Sequence, residues 1–155
     1  TDVYYTSDLV MVVKKGGKYE NATKLSDFKG ATITGQLNTF HYTVIDQIDG
    51  VKKDTAMDNF PAMRVALESG KIDGYVSERP EGVSATSANK NFAMVEFADG
   101  QGFKTSDEDT AIAVGLKKDS DLKDKINKIL AGISEDERKD LMDQAIKDQP
   151  ASEDN

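Results

Sequence analysis

Two short stretches carry the residues best suited to recognition chemistry. In GYVSERP (74–80) an apolar run ends on Glu78, followed by Arg79 and Pro80. A carboxylate at a strand tip can receive an ammonium group, since charge-assisted hydrogen bonds contribute about 1.5–3 kcal/mol each once water is excluded. The same residues fit an exposed Glu78–Arg79 pair, worth little in water, and Arg79 or Glu81 fits equally well as the outward partner. In QLNTFHY (36–42) Thr39 stands where a helix cap belongs, and Asn38 tolerates the left-handed backbone that such a turn demands. Amides at a helix start carry partial positive charge and can hold a carboxylate. On local grounds a plain cap explains Thr39 better, because most caps bind nothing.

Other candidate chemistry is weaker. His41 follows the cap and could act as a base, but no nucleophile accompanies it, and a single histidine there fits surface or packing. DEDT (107–110) and KKDSD (117–121) lack the ordered ligand spacing of a calcium loop and read as solvated loops. Gly16 and Gly17 before Lys18 lack the earlier glycine of a phosphate loop. The absence of cysteine excludes disulfides, thiolate catalysis and cysteine zinc sites. A formal charge of -8 argues against nucleic acid as the main partner. No run approaches the ~18 apolar residues of a membrane helix. The chain opens on Thr1 without a leader pattern and reads as excised from a longer protein.

The elements that must position these residues follow from period and punctuation. Leu9–Val13 reads as a buried strand closed by a Lys-Lys-Gly-Gly turn, KLSDFKG as one helical turn, and ATIT as a second strand. Phe40, Val44, Ile45 and Ile48 repeat with helical spacing up to Gly50. The next helix is fully punctuated: Asn59 caps it, Pro61 fits its first turn, Met63, Ala66 and Leu67 line its inner face, and Gly70 ends it. Ile72–Val76 is expected as a strand, a short helix starts at Pro80, and FAMVEF and TAIAVGL are two further strands. Leu122, Ile126, Ile129 and Leu130 mark an amphipathic helix. SEDE (134–137) is a capping box opening a last helix with Leu141, Met142, Ala145 and Ile146 inward. The alternation of strands and helices implies a layered α/β domain with parallel crossovers. Ligands bind such sheets beyond the carboxyl ends of the strands, which points at the turns holding Thr39 and Glu78.

With these turns placed, the chain resembles the polar amino-acid-binding proteins of ABC transporters (type II periplasmic-binding-protein fold, solute-binding protein family 3). The resemblance runs to about Gln149 and lies in the order of several segments. These are SDLVMVVKK after DVYYT, KLSDFKGATIT, LNTFHY, AMRVALESGKIDGYVSERP, and TAIAVGLKKDSDLKDKINKILAGI. It implies a three-layer α/β sandwich as the second, ligand-binding lobe with the first crossing strand (1–109). It further implies a return crossing and C-terminal helices of an incomplete first lobe (110–149), and a disordered tail (150–155). The family's arginine for the ligand carboxylate would lie in the part of the first lobe that this chain lacks.

Residue by residue, the resemblance assigns Thr39 to the ligand α-carboxylate and the Phe40 amide beside it. It assigns Glu78 to the α-ammonium and lets Gln36 and Ser77 flank the side-chain pocket. Asn38 replaces the usual glycine, and Glu78 replaces the commoner aspartate. The implied function is an extracytoplasmic receptor, periplasmic or cell-surface associated as a lipoprotein or permease fusion, that binds a polar amino acid in a cleft between lobes. It serves ABC permease subunits, with no catalysis and no cofactor. Glutamine, glutamate, arginine and histidine are all compatible. An enzyme on the same fold is the rival: a dehydratase acting on a small carboxylic acid with Glu78 as general acid. A second rival is an interaction module, with self-association through exposed first-lobe helices.

Overall fold

The computed structural model describes residues 1–148; the tail expected at 150–155 lies outside them. The described strands are β1 (Val3–Thr6), β2 (Leu9–Lys14), β3 (Thr32–Thr34), β4 (Lys52–Lys53), β5 (Gly74–Glu78), β6 (Phe92–Val95) and β7 (Ala111–Ala113). The α-helices are α1 (Phe40–Thr43), α2 (Phe60–Ser69), α3 (Arg79–Ala88), α4 (Asp107–Thr110), α5 (Leu122–Leu130) and α6 (Glu135–Lys147). They form two compact units: Asp8–Thr105, and Thr1–Ser7 together with the chain from Ser106 onward. The strand β1, placed with the second lobe by resemblance, thus clusters with the C-terminal unit.

The larger unit is a five-stranded sheet in the order β4-β3-β5-β2-β6, covered on both faces. Strand β2 shows why. Leu9, Met11 and Val13 join the core on the side of Phe28, Val44 and Ile45, while Val12 joins Met63, Leu67 and Ala85 on the side of α2 and α3. A strand buried on both faces reads as a continuous apolar run, which is what LVMVV is. The three-layer α/β architecture is the one expected.

The expected parallel crossovers need one correction. β3 runs parallel to β4 and β5, but β2 lies antiparallel to both β5 and β6. No helix of this unit precedes β2, so the crossover rule, which acts through a helix between strands, does not set its direction.

Helix α2 matches its sequence signals. The Asn59 side chain accepts from the Ala62 amide at 2.9 Å, and Gly70 closes the helix at φ 78°, a left-handed conformation suited to glycine. Two elements shift. The strand expected at 72–76 forms at 74–78 instead, because Asp73 is taken by Thr32, exchanging backbone and carboxylate hydrogen bonds with it. The helix expected through Ile48 is one α turn followed by a 3-10 turn at Val44–Gln47, in keeping with the β-branched Thr43, Val44 and Ile45. Val44, Ile45 and Ile48 are nonetheless buried.

In the smaller unit β1 pairs antiparallel with β7. DEDT is not the solvated loop expected: it forms α4, because Ser106 and Asp109 make a reciprocal capping box. The SEDE capping box at the start of α6 is present. The inward stripes of α5 and α6 are not buried: Ile129 is 66% and Leu141 62% exposed. A groove of about 240 Å³ with apolar walls runs between Tyr4, Tyr5, Leu130, Ile133, Leu141 and Met142. The Arg138 guanidinium crosses it, donating to the carbonyls of Val3, Tyr4 and Leu130. Among the described residues no helix is long and apolar enough to cross a membrane.

Candidate functional site

The parallel neighbours β3 and β5 bring the two recognition turns together. Ile33 pairs with Gly74 and Thr34 with Tyr75, so the chain leaves both strands at the same edge of the sheet. After β3, Gly35 passes directly over α1: a Cβ on Gly35 would lie 2.9 Å from the His41 carbonyl carbon and oxygen and from the Tyr42 Cα. Only a glycine permits that approach. The turn is pinned from the side, where the Leu37 amide donates to the Met57 carbonyl at 2.8 Å and the Gln36 amide group to the Asp58 carbonyl at 3.3 Å. Asn38 takes φ 61°, the left-handed conformation anticipated for it.

Thr39 occupies the N-cap position of α1 but does not cap through its side chain. Its hydroxyl donates instead to the Gln36 carbonyl at 2.8 Å. The hydroxyl thus stabilises the turn before α1 rather than the first amides of the helix. Thr39 and Phe40 are half-buried, and Asn38 is exposed.

Glu78 ends β5 and takes the N-cap position of α3, yet its side chain makes no cap bond. Its neighbours have other partners. The Arg79 Nε donates to Glu96 Oε1 at 2.8 Å. Glu81 turns to the opposite side of the strand, where Oε1 accepts from Arg64 Nη2 at 2.8 Å and Oε2 accepts from the Ser77 hydroxyl at 2.7 Å. The Tyr75 hydroxyl lies 3.4 Å from Glu81 Oε1. Burial, with the Glu81 carboxylate adding to it, pushes the Tyr75 phenol well above its ordinary range, so it remains a neutral donor.

Of the outward partners open at Arg79 and Glu81, Glu81 is committed to Arg64 and Ser77, and the Arg79 Nε to Glu96. The Glu78 side chain is 32% exposed and faces the imidazole of His41, with Nε2 3.6 Å from Oε1. The contact sets the start of α1 beside the tip of β5, so the turn holding Thr39 and Phe40 and the carboxylate of Glu78 share one edge. Ser77 does not join them; it is fully buried with its hydroxyl committed to Glu81. Gln36 lies in the turn with its amide spent on Asp58.

His41 is a functional candidate that the sequence pattern understates. It is buried rather than superficial, with its side chain 9% exposed, and faces a carboxylate. Nothing local signals this, because the contact spans two elements. Gly35 had a readable signal, a glycine directly after a strand and before a helix start.

No protein-family model matches the chain, and no curated protein sequence matches it. Solved structures do. An amino-acid ABC transporter substrate-binding protein from Streptococcus pneumoniae bound to L-arginine superposes with a TM-score of 0.72 at 22% identity, over 95% of this chain and 60% of that one. An ancestral arginine-binding protein bound to glutamine gives 0.68 at 25% identity, over 96% and 63% of the respective chains. An ancestral arginine-binding protein bound to arginine gives 0.65 at 27%, over 94% and 62%. The chain thus spans about 60% of the length of the solved chain from Streptococcus pneumoniae.

Proposed function

We propose that this chain, which has the fold of amino-acid ABC transporter substrate-binding proteins, is the ligand-binding lobe and C-terminal segment of such a receptor. The observation that carries the reading is the parallel pairing of β3 and β5, which delivers the Thr39 turn and Glu78 to one edge. An amino-acid zwitterion brings one carboxylate and one ammonium into a dry site, and each needs a fixed partner or desolvation dominates. The Phe40 amide serves the carboxylate, joined by the Thr39 hydroxyl when it exchanges its bond to the Gln36 carbonyl for one to the ligand; Glu78 serves the ammonium. The amino acid is polar, and the named ligands of the structural neighbours, arginine and glutamine, are the first to test. The parent acts outside the cytoplasm, delivers its ligand to ABC permease subunits and performs no chemistry.

Half a clamp binds weakly. Calorimetric titration of this chain with L-arginine and L-glutamine gives an affinity far weaker than micromolar. NMR titration at millimolar ligand moves the signals of Thr39, Phe40 and Glu78, and Glu78→Gln removes the response. Micromolar affinity contradicts the half-site reading, and shifts confined to residues away from this edge contradict the site.

One observation supports the enzyme alternative. His41 beside Glu78 is the acid–base partner that the sequence alone does not reveal. A dehydratase uses such a couple to move a proton while a hydroxyl leaves. Turnover of a small hydroxy acid by the full-length protein, abolished by Glu78→Gln, decides for the enzyme.

A further inference from the structure

We propose that His41 is a positioning residue for Glu78: its imidazole holds one carboxylate oxygen and leaves the other aimed at the ammonium of an amino acid. The proposal rests on the receptor reading above. Its first support is that neither ring nitrogen of His41 has a hydrogen-bond partner, although the side chain is 9% exposed. Buried polar atoms are rarely left so. The polar group facing the ring is Glu78, with Oε1 at 3.6 Å from Nε2, beyond hydrogen-bond length and within a small adjustment of it.

The second support is that His41 is rigidly mounted and Glu78 is not. The close passage of Gly35 fixes the His41 backbone, and the Phe40 ring sits 4.6 Å from the imidazole centroid. Glu78 is one methylene longer than aspartate and 32% exposed, so its carboxylate needs an external guide. Three further acids have partners of their own: Asp46 with Lys53, Glu81 with Arg64, Glu96 with Arg79. A carboxylate accepts on both oxygens, so an Nε2–H on one leaves the second for the ligand. An imidazole N–H reaches Glu78 as a single donor held on a short side chain, whereas the long, several-donor cation of a lysine or arginine at position 41 would compete with the ammonium.

Two measurements on this chain test the proposal. In a urea double-mutant cycle of His41→Leu, Glu78→Leu and the double variant, the effects are non-additive by at least about twofold in the unfolding constant. Additivity overturns the coupling. NMR titrations then compare L-arginine with the same molecule lacking its α-amino group. His41→Leu lowers the preference for the amino acid by about tenfold, leaves the des-amino affinity unchanged, and is rescued by His41→Gln, which keeps a donor. Equal weakening of both ligands, or no change in either, overturns the role. If the wild-type chain binds neither molecule, the receptor reading fails and this role with it, while the cycle separately reports whether the pair is coupled.

Discussion

At the scale of single residues, a methyl group at position 35 has the largest consequence for the candidate site. Gly35→Ala forces a Cβ to within 2.9 Å of the backbone of His41 and Tyr42, and backbone cannot swing aside as a side chain can. Overpacking of this kind costs about 1–3 kcal/mol, so urea unfolding of Gly35→Ala gives a midpoint well below wild type; an unchanged midpoint contradicts the close approach. Asn38 behaves oppositely. At φ 61° it carries a side chain where glycine is at ease, so Asn38→Gly is neutral or slightly stabilising and Asn38→Val is destabilising by thermal melting. Both positions show what is legible locally. Asn38 and Thr39 announce a tight turn by residue type, and Glu78 announces a strand tip by following an apolar run. The His41–Glu78 contact joins residues far apart in the chain and leaves no local trace.

At the scale of elements, local signals succeed where a segment's own residues satisfy its backbone. Helix α2 carries its cap, its first-turn proline, its inner stripe and its closing glycine in consecutive residues, and it forms as they dictate. The stretch after Thr39 carries helical spacing but β-branched residues, and it tightens into a 3-10 turn. The antiparallel run of β2 was not readable, because strand direction depends on partners rather than on the strand's own residues. The start of α3 rests on Glu81, held by Arg64, Ser77 and Tyr75. Glu81→Ala leaves a part-buried guanidinium without its carboxylate and costs about 1.5–3 kcal/mol, measured as a lowered urea midpoint; a midpoint equal to wild type contradicts this support. The start of α6 depends on pH. Bonds from the Ser134 amide, then its hydroxyl, hold the Glu137 carboxyl below its ordinary range. A carboxyl lowered by folding stabilises the folded form above its unfolded pKa and loses that contribution as pH falls through its folded value. Amide signals of residues 135–138 therefore show the first turn fraying on acidification, and Ser134→Ala shows the same fraying at neutral pH. An intact first turn in strong acid excludes this mechanism.

At the scale of the whole molecule, the two units differ in how well their own apolar faces are covered. Between Asp8 and Thr105 both faces of the sheet are packed, and Met11, Val12, Ile33, Leu67 and Tyr75 are fully buried. In the C-terminal unit no residue of α5 or α6 is buried, although their apolar spacing is as regular as that of α2. The apolar stripes were legible in the sequence; their exposure was not, since burial depends on what lies opposite. Exposed apolar surface rimmed by charge, such as the groove beside Leu130, Ile133 and Leu141, drives association. The expected outcome is concentration-dependent self-association of this chain, read as a molecular mass that rises with concentration in light scattering. Leu141→Lys, placed on a side chain that is 62% exposed, keeps the fold and returns the mass to that of a monomer. A monomer at every concentration for the wild-type chain, or a dimer unmoved by Leu141→Lys, removes this groove as the contact.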